Sequence, residues 1–328
     1  MTETLKNCQP HLAPFYIYGL LVALLPVAAI IDLFVAPSIH WQSLYLVPLM
    51  AAIYGGFFLY FSHVTGPFET APLWARALRI FTELMLLYTL TSNCLPLMDQ
   101  MVKINSWPLA DAWLAKADAM IGFDWLAYFN FVHDRPVLFE VLDHAYAHTG
   151  ILSFALTLAL IALGKFKRIQ FHMEAVVWTV LISILISAVT PAYAAAVFYG
   201  IDFTNYPNFG FAPGVYHVEN LYHLRAASPD YRIGAEPFKG LITFPSVHTA
   251  LGVVMAGALW RHWLFWPTAL YTLVMIPSTP VLGSHYLIDV IAGAALAILV
   301  MVCLAKRAPY ANLFIAKSHK GQAPIPAE

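Results

Sequence analysis

Eight stretches of roughly 20 mostly apolar residues recur along the chain, and no other feature constrains its fold as strongly. They run from Ala13 to Val35, Leu44 to Phe61, Leu78 to Met98, Leu142 to Leu163, Ala175 to Tyr199, Ser246 to Trp263, Trp266 to Leu282 and Leu287 to Ala305. A helix of that length crosses the hydrocarbon layer, and inside lipid each backbone N–H and C=O must be satisfied within its own segment. The expectation is an all-α, polytopic membrane helical bundle. Pro26, Pro48, Pro96, Pro191, Pro277 and Pro280 interrupt the runs, so the count of transmembrane helices is six to eight. Composition agrees: 60% of residues are hydrophobic and 11% are charged, where soluble domains carry about 25% charged residues.

The formal net charge is -1 and the 17 basic residues are dispersed, which excludes a basic surface for nucleic acid. Nothing in the pattern specifies an oligomeric state. Cys8, Cys94 and Cys303 follow no ligand spacing, and the last two lie in apolar runs as small hydrophobes. The opening "MTETLKNCQPHLAPFY" lacks the small-residue cleavage pattern of a signal peptide, so the first run reads as a retained anchor.

Orientation follows from Lys and Arg between the runs. With eight crossings, one side holds Lys6, Arg76, Arg79, Lys165, Lys167, Arg168, Arg261, Lys306, Arg307, Lys317 and Lys320, whereas the other holds Lys103, Lys116, Arg135, Arg225, Arg232 and Lys239. The richer set is assigned to the cytoplasm, with both termini. The chain then divides into N-terminal transmembrane helices (1–98), an outer interfacial segment (99–141), a catalytic transmembrane core (142–305) and a cytoplasmic tail (306–328). The outer segment contains "WPLADAWLAKADAMIGFDWLAYF", whose apolar residues recur at helical spacing among charges. It suits helices lying at the membrane interface, as a rim or lid or as a packing element.

Chemistry concentrates in two stretches. In "GSHYLIDVIAG", His285 and Asp289 are four apart and share a helix face, so the carboxylate can accept from one imidazole nitrogen. Such a pair either marks function or holds helix ends together. In "ITFPSVHTALGVV", Pro245 and Ser246 are helix-start residues and His248 sits in the first turn, where backbone N–H groups and a hydroxyl make an anion site. By the topology above, both histidines head helices at the outer face. Two histidines, a carboxylate and an anion-binding turn suit phosphoryl transfer.

"FPSVH", followed after a span by "STPVLGSHYLIDVIAG", resembles the P-S-G-H and S-R-x5-H-x3-D motifs of the type-2 phosphatidic acid phosphatase superfamily. The resemblance implies His285 as a nucleophile that forms a phosphohistidine, Asp289 as its orienting partner, His248 as the acid on the leaving oxygen and Ser246 as a phosphate contact. Val247 stands where the motif has glycine, and Thr279 where it has arginine. The K-x6-R-P motif is not present: Arg135 and Pro136 match its end, but Tyr128 replaces its lysine. Phosphate neutralisation then falls to Arg225, Arg232 and Lys239, with Arg225 favoured. "NLYHLRAAS" resembles a leucine-arginine step in the branch related to inositol phosphorylceramide synthase, which implies a lipid phosphotransferase.

Other polar clusters carry weaker signals. His144 and His148, beside Asp143, have a spacing that can hold a metal on one helix face, but no third ligand is evident. His217, Glu219 and His223 read as solvated loop residues, and Asp32 and Glu83 as partners for other helices. The resulting expectation is a membrane enzyme moving a phosphoryl or phospho-headgroup unit between membrane lipids, with no metal or organic cofactor. Its rivals are a lipid phosphate or polyprenyl diphosphate phosphatase using water, and a transporter or binding protein in which the His/Asp pair relays protons.

Overall fold

The computed structural model describes residues 11–104, 107–207, 209, 214–307 and 310–314. Cys8, Lys6, Lys317 and Lys320 lie outside these residues. The helices are, in chain order, α1 (Phe15–Asp32), α2 (Trp41–Leu44), α3 (Leu46–Val64), α4 (Leu73–Val102), α5 (Asp111–Met120), α6 (Trp125–His133), α7 (Pro136–Ala147) and α8 (Thr149–Ala162). They continue with α9 (Phe166–Val189), α10 (Ala195–Phe198), α11 (Val218–Arg225), α12 (Val247–Ala258), α13 (Phe265–Leu282), α14 (Leu287–Ala305) and α15 (Ala311–Phe314). Among the described residues there is no strand, only an isolated bridge between Ile39 and Ile233.

Five helices, α1, α3, α4, α9 and α14, are long and apolar enough to cross a membrane, and the α7–α8 pair makes a sixth if its 53° bend is taken within one span. Their outward faces carry exposed Ile30, Phe57, Leu59, Phe81, Leu185 and Leu299, as suits contact with lipid. Five or six spans fall at or below the lower end of the expected six to eight, and the shortfall is explained locally. The run from Leu142 to Leu163 is broken at His148, and the run from Ala175 to Tyr199 stops at Val189, just before Pro191. The run from Ser246 to Trp263 forms only the 12-residue α12, about 18 Å long at 1.5 Å per residue. Pro26, Pro96, Pro277 and Pro280 remain inside helices. Pro280 has no N–H for the Ile276 carbonyl, and the buried Thr279 hydroxyl donates to that carbonyl at 2.8 Å.

The bundle has two chemically distinct ends. At one, the Arg79 guanidinium donates to the Phe61 carbonyl at 2.9 Å and to the Gly66 carbonyl at 2.5 Å, capping the C-terminus of α3. There too Arg168 bonds the Ala258 carbonyl at 2.7 Å, tying the start of α9 to the end of α12, and Arg307 pairs with Glu174. At the other end, the Asp99 carboxylate near the end of α4 accepts from Leu241 N–H at 2.9 Å, and Lys103 donates to the Ser187 carbonyl at 2.8 Å. The heads of α12 and α14 lie at this second end. Asp32 accepts from Ile39 N–H at 2.6 Å and from Trp41 Nε1 at 2.8 Å, while Glu83 accepts from Leu12 N–H and Tyr18 hydroxyl, both at 2.9 Å. Both acids therefore serve packing. Cys94 is buried and Cys303 exposed, each a free thiol.

α5 and α6 pack inward. Leu114, Trp125, Phe129 and Val132 join Val281, Leu282 and Tyr286 in one apolar cluster. Trp125 stacks on Phe129 and on Tyr199, with ring centroids 5.1 and 5.4 Å apart.

Candidate active site

The segment joining α13 to α14, Gly283–Tyr286, carries His285 and is held from several sides. Ser284 adopts a left-handed φ of 52°, an uncommon state for a residue with a Cβ. It is locked there because its carbonyl and hydroxyl accept from Ala195 and Ala196 N–H at 2.8 and 2.7 Å. Trp125 Nε1 donates to the His285 carbonyl at 3.0 Å. The first N–H groups of α14 are then claimed by carboxylates: Tyr286 by Asp289 at 2.9 Å, and Leu287 and Ile288 by the two oxygens of Asp118, each at 2.8 Å. A helix N-terminus that would otherwise attract an anion is thus filled by the protein's own side chain. Asp111, one face-repeat earlier on α5, accepts from the Tyr286 hydroxyl at 3.0 Å and from Tyr193 N–H at 3.0 Å.

The His285 ring is oriented through Nδ1, which lies 2.8 Å from the Thr243 carbonyl and 3.4 Å from Asp289 Oδ2. Both neighbours are acceptors, so Nδ1 carries the proton and Nε2 keeps its lone pair. The backbone carbonyl is the closer partner, and the Asp289 side chain lies behind it while capping α14. Burial pushes this imidazole down to about 4, against the opposing pull of the Thr243 hydrogen bond. The ring is neutral at pH 7.

His248 occupies the first turn of α12 and lies flat on Tyr146 of α7, with ring centroids 4.1 Å apart and planes 21° apart. Ser246 is the N-cap: its hydroxyl faces Thr249 N–H at 3.4 Å, and its own N–H donates to the Asp289 carbonyl at 3.0 Å. The two helix heads also touch at Gly293, where a Cβ would fall 2.3 Å from the Ser246 carbonyl oxygen. At Gly283 a Cβ would fall 2.6 Å from the His285 ring and 2.8 Å from the Tyr146 hydroxyl. Only glycine permits these approaches.

His248 and His285 line one cavity of about 420 Å³, together with Asp99, Tyr146, His217, Thr243 and Val247. Its remaining wall is largely apolar, with Leu95, Pro96, Val176, Val180, Ile184 and Leu251. A second cavity of about 130 Å³ adjoins it at Thr91, Gly150 and Val176, between α4, α8 and α9. A larger, open depression between α10 and α11 has, among its described lining residues, Glu219 as the one carboxylate and neither motif histidine.

The other sequence-derived residues lie elsewhere. Ser246 and Asp289 are fully buried behind the cavity wall. Arg225 donates to the Trp107 carbonyl at 2.7 Å, Arg232 to the Pro229 and Tyr231 carbonyls, and Lys239 to Asn220 Oδ1 at 3.3 Å. None of the three lines the cavity. Lys103 is the buried cation of this region; burial lowers its ammonium to about 8, with Asp99 opposing the shift. His144 is exposed beside Glu140, and the residue of "DHAYAH" that reaches the site is Tyr146. Among the described residues, no group of three or more His, Cys, Asp or Glu is arranged to hold a metal ion.

His217 departs from the solvated reading. It is buried and lines the cavity, and its Nε2 donates to the Tyr193 carbonyl at 2.8 Å. The available signal was helical spacing: His217, Asn220, Leu221 and Leu224 form one buried face.

No curated protein and no solved structure matches the chain. The family model of the PAP2 superfamily matches residues 112–303, a stretch that includes His248, His285 and Asp289. With more than half its length matched, and with both motif histidines on one cavity wall, the chain is an integral multi-pass membrane protein that belongs to the PAP2 superfamily.

Proposed function

We propose that this protein transfers a phospho-headgroup unit from a donor lipid to a hydroxyl acceptor through a phosphohistidine. One observation carries the reading: the His285 Nε2 lone pair and the His248 ring meet in one largely apolar cavity. In the first half-reaction Nε2 attacks phosphorus and the bond from phosphorus to the lipid oxygen breaks; His248, whose imidazole burial lowers to about 3, takes up its proton beside the bound phosphate anion and delivers it to that oxygen. Thr243 and Asp289 hold the Nδ1 proton throughout. In the second half-reaction the acceptor hydroxyl gives its proton to His248 and attacks phosphorus, and the phosphorus–nitrogen bond breaks. No metal or cofactor is needed for the proton and electron balance.

Two features favour a phosphodiester lipid as donor. No Lys or Arg is among the described lining residues, so a monoanionic diester fits with less uncompensated charge than a dianionic monoester. The apolar wall and the adjoining cavity between α4, α8 and α9 suit a hydrocarbon chain. The same largely apolar wall favours a lipid hydroxyl over water as acceptor. The test supplies purified protein with headgroup-labelled phospholipid, with and without a lipid alcohol. Label in a new lipid is expected; release of water-soluble label alone, at a rate indifferent to the alcohol, makes the protein a hydrolase.

The Lys and Arg distribution supports an outward-facing site. In a background without the native cysteines, Tyr222→Cys on α11 is expected to react with an impermeant maleimide in intact cells. Trp263→Cys, between α12 and α13, is expected to react only after permeabilisation. Both side chains are exposed, and the reverse pattern overturns the orientation.

A further inference from the structure

We infer that Asp99 and His217 form a subsite for a hydrogen-bond-donating group of the lipid substrate, a hydroxyl or an ammonium, separate from the atoms that handle phosphorus. This deepens the proposed function and rests on it in using the same cavity. Both residues line that cavity, yet neither belongs to the two histidine motifs, and Asp99 precedes the segment matched to the PAP2 superfamily.

His217 Nε2–H is spent on the Tyr193 carbonyl, which leaves Nδ1 as a lone-pair acceptor with no hydrogen-bond partner among the described residues. Asp99 uses Oδ2 to accept from Leu241 N–H, while its Oδ1 is buried and unpartnered. Asp99 is 3% exposed and His217 6%. Two acceptors on residues that line one cavity, with no lysine or arginine on its described lining, disfavour a phosphate oxygen and favour a ligand bringing its own N–H or O–H. Lys103, one helical turn beyond Asp99, directs its ammonium to the Ser187 carbonyl instead. Burial also keeps His217 neutral at pH 7, lowering it to about 4.

Binding separates this subsite from the chemistry. The His285→Asn protein, which lacks the attacking nitrogen, is titrated with short-chain phospholipids bearing inositol, glycerol, ethanolamine or choline, and separately with short-chain lipid alcohols. Lipids whose headgroups bear O–H or N–H are expected to bind at least about tenfold more tightly than the choline lipid, which has no donor. Adding Asp99→Asn or His217→Leu is expected to erase the difference. If the loss falls on the free alcohols instead, the subsite holds the acceptor's hydroxyl. Equal binding of all headgroups, with neither substitution changing the affinity of any lipid or alcohol, overturns the proposal. Failure of the wild-type protein to form a phosphohistidine overturns the mechanism and leaves this binding result standing.

Discussion

In the His285→Asn protein, turnover is expected to fall by about a thousandfold or more while the fold survives. The amide keeps a donor near the Thr243 carbonyl, which His285 Nδ1 approaches to 2.8 Å, and removes only the nitrogen that faces the cavity. His285→Ala is the harsher change, because an unpaired buried carbonyl costs about 1–3 kcal/mol. The readouts are label transfer from a phospholipid donor and an acid-labile phosphoprotein after rapid quenching. Wild-type turnover in His285→Asn sinks the phosphohistidine mechanism. The same group sets a pH dependence. Its imidazole is held at about 4 by burial, against about 6.5 in an unfolded chain. The unfolded chain therefore binds the extra proton first, and stability falls as pH drops from about 6.5 towards 4, with no contribution above that window. An acid limb of kcat/KM due to His285 lies below 6.5, and the acid loss of stability shrinks in His285→Asn.

Gly293→Ala is expected to cost about a hundredfold in turnover and about 1–3 kcal/mol in stability, although the added group is one methyl far from any proton transfer. That methyl would stand 2.3 Å from the Ser246 carbonyl oxygen, so α12 must move off α14. His248 rides on the first turn of α12 and His285 stands two residues before α14, so the separation of acid and nucleophile changes with the helix spacing. Gly56→Ala on α3, where a Cβ meets nothing within 4 Å, is the matched control and is expected to be neutral in both measurements. Thermal unfolding in detergent and label transfer check the pair. A Gly293→Ala protein with unchanged melting and turnover shows that the contact does not set the site's geometry.

Gly293 marks the boundary between what a linear reading captures and what it misses. Its place in "GSHYLIDVIAG" is visible, but its reason is a backbone from 47 positions earlier, which approaches only when α12 and α14 pack. Asp118 is similar. In the sequence it is one charge in an amphipathic stretch, and in the fold it caps Leu287 and Ile288, residues of another helix. Trp125, Tyr146 and His217 join the site in the same way, each from a segment whose local pattern carries no catalytic motif. Arg225 shows the converse: its local step resembled a motif, yet its guanidinium is turned to the Trp107 carbonyl.

By itself the sequence determined the all-α membrane class, because runs of apolar residues and the ban on unpaired backbone in lipid leave few alternatives. It also singled out His248 and His285, which line one cavity, as the proposed chemical pair, because their motif spacings are local. Only the tertiary structure decided that Thr243 is the closer orienting partner of His285, that Asp118 fills the head of α14, and that Asp99 and His217 share the cavity. Those outcomes depend on where whole helices pack, and helix packing is settled by side-chain contacts between segments distant in the chain, which no local spacing records.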